Sequence, residues 1–265
     1  MERTRLGVLG WPVGHSRSPQ MMAAALRVAG LGTWRYQRLP VPPELFAETA
    51  MALGGTGFRG ANVTIPHKQA AFSLAGEPSD AARAIGAANT LVFEPSGTIA
   101  ADNTDAPALL QALPISPRGR SALVLGAGGS ARAAVWALVG EGAEVFVWNR
   151  RYQRAKKLCE ELGGRPVARA QPADLVVNCT PVGLDGNADA FKELPFGADE
   201  LAMFGCVIDF VYGTDQTALV RAASAAGLPA VGGLDLLVGQ GALGFERFTG
   251  LPAPVEEMRA AACGR

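Results

Sequence analysis

The sequence predicts an α/β fold of two domains, an N-terminal α/β domain and a doubly wound parallel sheet, with C-terminal helices returning to the first domain. Three observations predict it. Short apolar runs recur along the 265 residues, many of them separated by the 33 glycines and 18 prolines, which is the punctuation of alternating strands and helices. Several runs beyond residue 120 are apolar without alternation, SALVL at 121–125 first, as expected of strands covered on both faces of a parallel sheet. The last long apolar segment, 234–248, has a helical pattern and no strand after it.

In chain order, 6–9 reads as a strand. Ser18-Pro19 opens a helix through Ala29, with Ser18 as N-cap and proline in the first turn. GANVTI at 60–65 reads as a strand ended by Pro66, 68–74 as the start of a helix, and 89–93 as a strand. The polar run PISPRGRS at 114–121 reads as a boundary. Beyond it come strands at 121–125, 143–148, 174–179 and 206–210, with a glycine turn and an amphipathic helix after the first. Residues 105–232 therefore read as the doubly wound domain, and 1–104 plus 233–265 as the other.

Composition narrows the function. Lys and Arg number 24, as do Asp and Glu, so the formal charge is zero, and hydrophobic residues make up 49%. Such a chain is not disordered by composition and has no basic footprint for nucleic acid or an anionic membrane surface. No run of about 18 apolar residues offers a membrane span. The opening MERTRLGVLG has no long apolar core of a signal peptide. Cys159, Cys179, Cys206 and Cys263 show no CxxC spacing, and reduced, mostly structural thiols in a cytoplasmic protein are expected. His15 and His67 have no ligand spacing, so no metal site is expected.

Gly126-Ala127-Gly128-Gly129-Ser130-Ala131 follows a strand and opens a helix. This is the G-x-G-x-x-A form of the dinucleotide fingerprint of Rossmann-type domains. The first glycine permits the tight turn, the second lets backbone N–H groups approach a pyrophosphate, and the small last residue lets helix and strand pack closely. The next strand ends in Asn149-Arg150-Arg151. An NAD site places an acid there for the ribose 2′-hydroxyl, whereas arginine pairs with a 2′-phosphate. One charge-assisted bond contributes about 1.5–3 kcal/mol, roughly 10- to 150-fold in affinity. NADP is therefore read over NAD. The competing reading makes Arg150 and Arg151 part of a solvated basic face with Arg154 and Lys156.

Three further segments are polar for their surroundings: Gly14-His15-Ser16-Arg17-Ser18-Pro19, Asn62-Val63-Thr64-Ile65-Pro66-His67-Lys68, and Gly86-Ala87-Ala88-Asn89-Thr90 with Asp102-Asn103-Thr104-Asp105 beyond it. Ser16 and Ser18 can hold a small anion near a helix start, or simply cap the helix. Asn62 and Thr64 alternate with apolar residues and so share one face at a strand end. Asn and Asp at strand ends often only form turns.

Taken together, GHSRSP, ANVTIPHK, GAANT, NTD, GAGGSARA, NR, NCTPVG, DFVY and GLDLLVGQ resemble, in order and approximate spacing, the motifs of the shikimate dehydrogenase family over nearly the whole chain. The resemblance implies a substrate domain and an NADP domain facing across a cleft. It implies reversible NADPH-dependent reduction of 3-dehydroshikimate to shikimate, on the route to chorismate and aromatic amino acids, by a monomer or homodimer. Carried over by motif, Ser16, Ser18 and Tyr212 would hold the substrate carboxylate. Thr64, Lys68, Asn89, Asp105 and Gln240 would meet the ring hydroxyls, with Lys68 and Asp105 as the catalytic pair. Gly126, Ala127, Gly128, Gly129, Ser130, Asn149, Arg150, Arg151 and Arg154 would line the NADP site, with Phe210 and Gly233 nearer the nicotinamide. A lysine ammonium suits a ketone oxygen that gains charge as hydride arrives, because it offers a transferable proton that arginine does not.

The chain departs from the family pattern at Met21-Met22, Arg151, Gly213-Thr214, Asp235 and Leu236. Two alternatives accompany the reading: a quinate/shikimate dehydrogenase using NAD, and a catalytically silent NADP-binding regulatory module. Ser18, where some quinate enzymes carry threonine, and the missing acid after Trp148 favour shikimate and NADP. The presence of both Lys68 and Asp105 favours an enzyme.

Overall fold

The computed structural model describes residues 4–184, 190–213 and 216–264. The chain divides into two compact units, Met1–Ala108 with Leu237–Arg265, and Leu109–Leu236.

The first unit begins with β1 (Arg5–Gly10), α1 (Ser18–Val28), β2 (Arg35–Pro40), α2 (Phe46–Leu53), β3 (Phe58–Val63), α3 (Lys68–Leu74), β4 (Glu77–Pro78), α4 (Asp80–Ile85), β5 (Thr90–Phe93) and β6 (Ile99–Asp102); α5 (Asp105–Ala112) follows. Its sheet is mixed, in the order β2-β1-β3-β5-β6-β4. β1 runs parallel to β2 and β3, while β5 is antiparallel to β3 and β6. The register sets Leu9 beside Val63, Asn62 beside Thr90, and Thr90 beside Asp102. The loops after β1, β3 and β6 and the one before β5 therefore emerge at the same end of the sheet. Leu9, Phe46, Ala61, Val63, Leu91 and Ala101 pack beneath them as core.

The second unit contains β7 (Ser121–Leu125), α6 (Gly129–Gly140), β8 (Glu144–Trp148), α7 (Tyr152–Leu162), β9 (Arg165–Val167), β10 (Ala173–Asn178), β11 (Phe204–Asp209), α8 (Ala218–Ala225) and β12 (Ala230–Val231). All its strand pairs are parallel, in the order β12-β11-β10-β7-β8-β9. The first strand is central and the chain winds outward in both directions, which is the doubly wound arrangement. Along β7, Ala122 and Val124 join one core while Leu123 and Leu125 join another. Both faces are covered, so the strand has no polar side to alternate with. α7 instead buries Ala155, Leu158 and Cys159, a single stripe at helical spacing.

The C-terminal helices are α9 (Gly233–Thr249) and α10 (Val255–Ala262), and they return to the first unit as expected. A Cβ at Gly60 would stand 2.5 Å from Phe248, and one at Gly241 would collide with Met21. Arg17 Nη1 donates to Ala262 O at 2.7 Å. Met21 and Met22, where the family pattern differs, are both fully buried.

The helix start at Ser18 differs from the expectation. Arg17 is the N-cap, no side chain bonds the cap, and Ser18 is already the first helical residue. The Ser16 hydroxyl reaches forward instead, accepting from Ser18 N–H at 3.3 Å. β3 ends at Val63 rather than Ile65, so Thr64 lies in the turn beyond the strand. Thr214 falls outside the described residues.

Candidate active site

Lys68 is the first residue of α3 and is buried. The turn before it is fixed by His67, whose ring stacks on Phe46 at 4.4 Å and whose Nε2 lies 2.8 Å from Val41 O. Burial holds the His67 ring below its ordinary pKa, against that backbone contact. Lys68 Nζ donates to Asp105 Oδ2 at 2.5 Å. Asp105 opens α5, where Asn103 Oδ1 accepts from the N–H groups of Asp105 and Ala106 at 3.1 and 3.3 Å. An acid at a helix N-terminus is stabilised by the exposed amides there.

Asn89 approaches the other carboxylate oxygen. Its Nδ2 donates to Asp105 Oδ1 at 2.9 Å, to Thr104 Oγ1 at 2.9 Å and to Gln240 Oε1 at 3.3 Å. Its Oδ1 accepts from Thr104 N–H at 2.8 Å. Gln240, on α9, donates from Nε2 to Leu237 O at 2.8 Å, which turns its carbonyl toward Asn89. Four of the residues expected at the site, Lys68, Asn89, Asp105 and Gln240, are thus joined by hydrogen bonds. Thr104 belongs to the same cluster; the NTD motif contains it, but the sequence assigns it no role.

Ser16 and Thr64 stand on loops at the same end of the sheet, and Ser18 opens the helix that follows the first of these loops. Trp11 N–H donates to Ile65 O at 2.9 Å, tying the loop after β1 to the one after β3. Arg38, on β2, donates from Nε and Nη2 to Ser16 O at 3.0 and 2.6 Å, so a guanidinium shapes the serine loop. Burial and the nearby Arg38 charge both hold His15 below its ordinary pKa.

The second unit carries the other expected residues. Gly126 has φ +110°, and a Cβ there would come within 3.2 Å of the Cys179 carbonyl; glycine is required by both conformation and space. Gly128 is the N-cap of α6, and a Cβ on it would meet nothing within 4 Å. Its backbone therefore faces open space at the N-terminus of a twelve-residue helix, as an approaching pyrophosphate requires. Asn149 Nδ2 donates to Arg151 O at 2.9 Å, shaping the turn that holds Arg150, Arg151 and Arg154 at the surface. Arg150 lies 4.0 Å from Glu193, with both side chains mostly in solvent. Exposed pairs of this kind are weak, so the guanidinium can turn to another anion. These features fit a dinucleotide carrying a 2′-phosphate.

Phe210, Tyr212 and Gly233 lie beyond β11 and at the start of α9. A side chain at Gly233 would collide with Val211 O and stand 2.9 Å from Phe210 O. The loop after β11 is organised by Asp209, the first residue of the DFVY motif, to which the sequence assigns no role. Fully buried, it accepts from Thr217 Oγ1 at 2.6 Å, Asn178 Nδ2 at 2.9 Å and Val211 N–H at 3.0 Å. Burial pushes its pKa up to about 6, against the three donors. Among the described residues no group of three or more His, Cys, Asp or Glu could hold a metal ion, and no helix is long and apolar enough to cross a membrane. The four cysteines are free thiols.

Comparison with known proteins follows the same division. Residues 8–91 match the shikimate dehydrogenase substrate binding domain, residues 110–179 the shikimate/quinate 5-dehydrogenase family, and residues 233–263 the shikimate 5′-dehydrogenase C-terminal domain. The shikimate dehydrogenase (NADP(+)) of Anaeromyxobacter sp. (strain K) is 46% identical over 273 residues, covering 97% of this chain and 95% of that protein. The chain belongs to the shikimate dehydrogenase family. The structure of shikimate 5-dehydrogenase from Thermus thermophilus, in complex with NADP(H) and shikimate, is similar at a TM-score of 0.86 and 41% identity, with 98% of each chain covered. The ligand-free 5-ketofructose reductase of Gluconobacter sp. strain CHM43 is similar at a TM-score of 0.82 and 25% identity, over 99% and 98% of the two chains. The shikimate dehydrogenase fold thus also underlies a reductase named for a different ketone, so substrate choice rests on particular side chains.

Proposed function

We propose that this chain catalyses the reversible NADPH-dependent reduction of 3-dehydroshikimate to shikimate, with Lys68 as the general acid–base and Asp105 as its partner. The bound cofactor supplies hydride to the ketone carbon. As the carbonyl π electrons move onto oxygen, the Lys68 ammonium stabilises that charge and donates the proton that completes the alcohol. In oxidation the neutral amine takes the alcohol proton back. Asp105 holds the ammonium in place, and Asn89 satisfies the second carboxylate oxygen, so the carboxylate keeps its orientation. Thr64 and Gln240 complete the ring-binding set. Ser16, Ser18 and Tyr212 hold the substrate carboxylate.

The unit Met1–Ala108 with Leu237–Arg265 serves the substrate in this reading, and Leu109–Leu236 serves NADP. Gly126 to Ser130 would hold the pyrophosphate, Asn149, Arg150, Arg151 and Arg154 would take the 2′-phosphate, and Phe210 and Gly233 would border the nicotinamide. The enzyme acts in the cytoplasm as a monomer or homodimer, and size-exclusion chromatography distinguishes the two.

The observation that carries the proposal is the buried Lys68–Asp105 contact with Asn89 at the opposite carboxylate oxygen. A module that kept the fold and lost the chemistry would have no reason to keep this arrangement. Steady-state assays of reduced-cofactor absorbance with shikimate or quinate, and NADP or NAD, test it. Shikimate with NADP is expected to turn over fastest; faster quinate oxidation with NAD would overturn it.

A further inference from the structure

A line of buried polar groups leads away from the Lys68–Asp105 pair to a tyrosine that no motif includes. Tyr36, on β2, donates its hydroxyl to Asn62 Oδ1 at 2.8 Å. Asn62 Nδ2 donates to Thr90 Oγ1 at 3.2 Å and reaches Asn89 O at 3.4 Å. Thr90 Oγ1 donates to Asn89 Oδ1 at 3.3 Å. Asn89 Nδ2 then donates to Asp105 Oδ1 at 2.9 Å. Every link is buried, from Tyr36 at 8% exposed to Thr90 at zero, so water has little access to replace a missing one.

The direction of each link follows from the atoms. An amide oxygen only accepts, so the tyrosine must be the donor at Asn62. That leaves the Asn62 NH₂ facing Thr90, whose hydroxyl gives its one hydrogen to Asn89 Oδ1. Asn89 then has both the Thr104 N–H and the Thr90 hydroxyl at its carbonyl, and its NH₂ is turned to the carboxylate. All donors run one way and end on the charged acceptor, the arrangement in which hydrogen bonds polarise one another.

We infer that Tyr36 is a positioning residue for the reaction, acting through Asn62, Thr90 and Asn89 on Asp105. The inference rests on the assignment of Lys68 and Asp105 to the chemistry. Without the tyrosine hydroxyl the Asn62 amide is free to reverse. The Thr90 hydrogen then turns to the Asn62 oxygen, and Asn89 loses one of the donors that orient it.

Tyr36→Phe keeps the ring and removes the hydroxyl. It is expected to lower kcat about 3- to 10-fold, the worth of one net hydrogen bond, with KM for shikimate within about twofold because every side chain that meets the substrate is retained. Thr90→Val should do the same, and Thr90→Ser should restore the wild-type rate. In an Asn89→Ala background Tyr36→Phe should cost nothing more, since its route to Asp105 is already cut. A folded Tyr36→Phe protein with unchanged kcat, or one whose loss persists in full in the Asn89→Ala background, would overturn the inference. Should Tyr36→Phe not fold, the Thr90→Val and Thr90→Ser pair decides: equal rates in the two reject the relay. Lys68→Ala, assayed alongside, separates the two readings, because near-normal turnover there rejects the acid–base assignment itself.

Discussion

Lys68 and Asp105 are 37 residues apart in sequence, yet their charged groups meet at 2.5 Å inside the first unit. Breaking such a pair leaves a buried charge unmatched. Lys68→Ala is expected to cut turnover by at least about 100-fold, the usual worth of general acid–base help, while the dissociation constant for NADP stays near that of wild type. Stopped-flow turnover and cofactor fluorescence titration measure the two separately. Turnover close to wild type would remove Lys68 from the reaction.

Arg150 offers a guanidinium that is 81% exposed and only loosely paired with Glu193. Arg150→Ala should weaken NADP by roughly 10- to 150-fold, the value of one charge-assisted bond, and leave NAD nearly unchanged. Equal weakening of both cofactors would show a general electrostatic role instead.

Asp209 gives a pH signature in stability. Its folded pKa of about 6 lies above the ordinary 3.8, so the folded state holds the proton more tightly than the unfolded chain. Between about pH 4 and 6 the folded protein binds more protons, and stability falls as pH rises through that window. The span of roughly two units corresponds to about 3 kcal/mol. Asp209→Asn does not titrate, so the urea midpoint of wild type should fall relative to that of the variant from pH 4 to 6 and then run parallel. A constant difference across pH 4–8 would show that Asp209 does not titrate there.

Gly233→Ala places a methyl group against Val211 O, where no flexible side chain can yield. Loss of about 1–3 kcal/mol is expected from the forced backbone shift, measured by urea denaturation. An unchanged midpoint would mean that the first turn of α9 moves freely.

Thiol reactivity follows burial. Burial raises Cys159 to about 11, while Cys263 is exposed. At pH 8 an alkylating reagent should modify Cys263 well before Cys159, as read by peptide mass spectrometry. Prior labelling of Cys159 would contradict the placement of α7.

The second sheet was the more legible in sequence because both of its faces are covered: runs such as 121–125 have no polar side to obscure them. β4 and β12 have only two residues each and exist through their partners' hydrogen bonds, which no local pattern reports. β2 reads RYQRLP and is largely exposed, so its period gave no signal. The same holds at the site. Lys68, Asn89 and Asp105 sit in contiguous polar segments and stood out. Thr104 and Asp209 lie inside the NTD and DFVY motifs without an assigned role, whereas Tyr36 acts through space on Asn62, 26 residues along the chain, and its spacing carries no trace of it. Ser18 reads as a cap because a hydroxyl before proline commonly is one, whereas the accepting oxygen belongs to Ser16, two residues earlier.

Phe248 against Gly60, Met21 against Gly241 and Arg17 on the Ala262 carbonyl carry a consequence for biosynthesis. The unit Met1–Ala108 with Leu237–Arg265 cannot close its interior until residues 237–265 have been synthesised and have cleared the ribosome. The intervening unit Leu109–Leu236 is continuous in sequence and can finish folding first, the reverse of the usual N-to-C order. Until then residues 1–108 leave Met21 and the surface around Gly60 uncovered, and a chain that stops short of residue 237 carries one folded unit tethered to an aggregation-prone one.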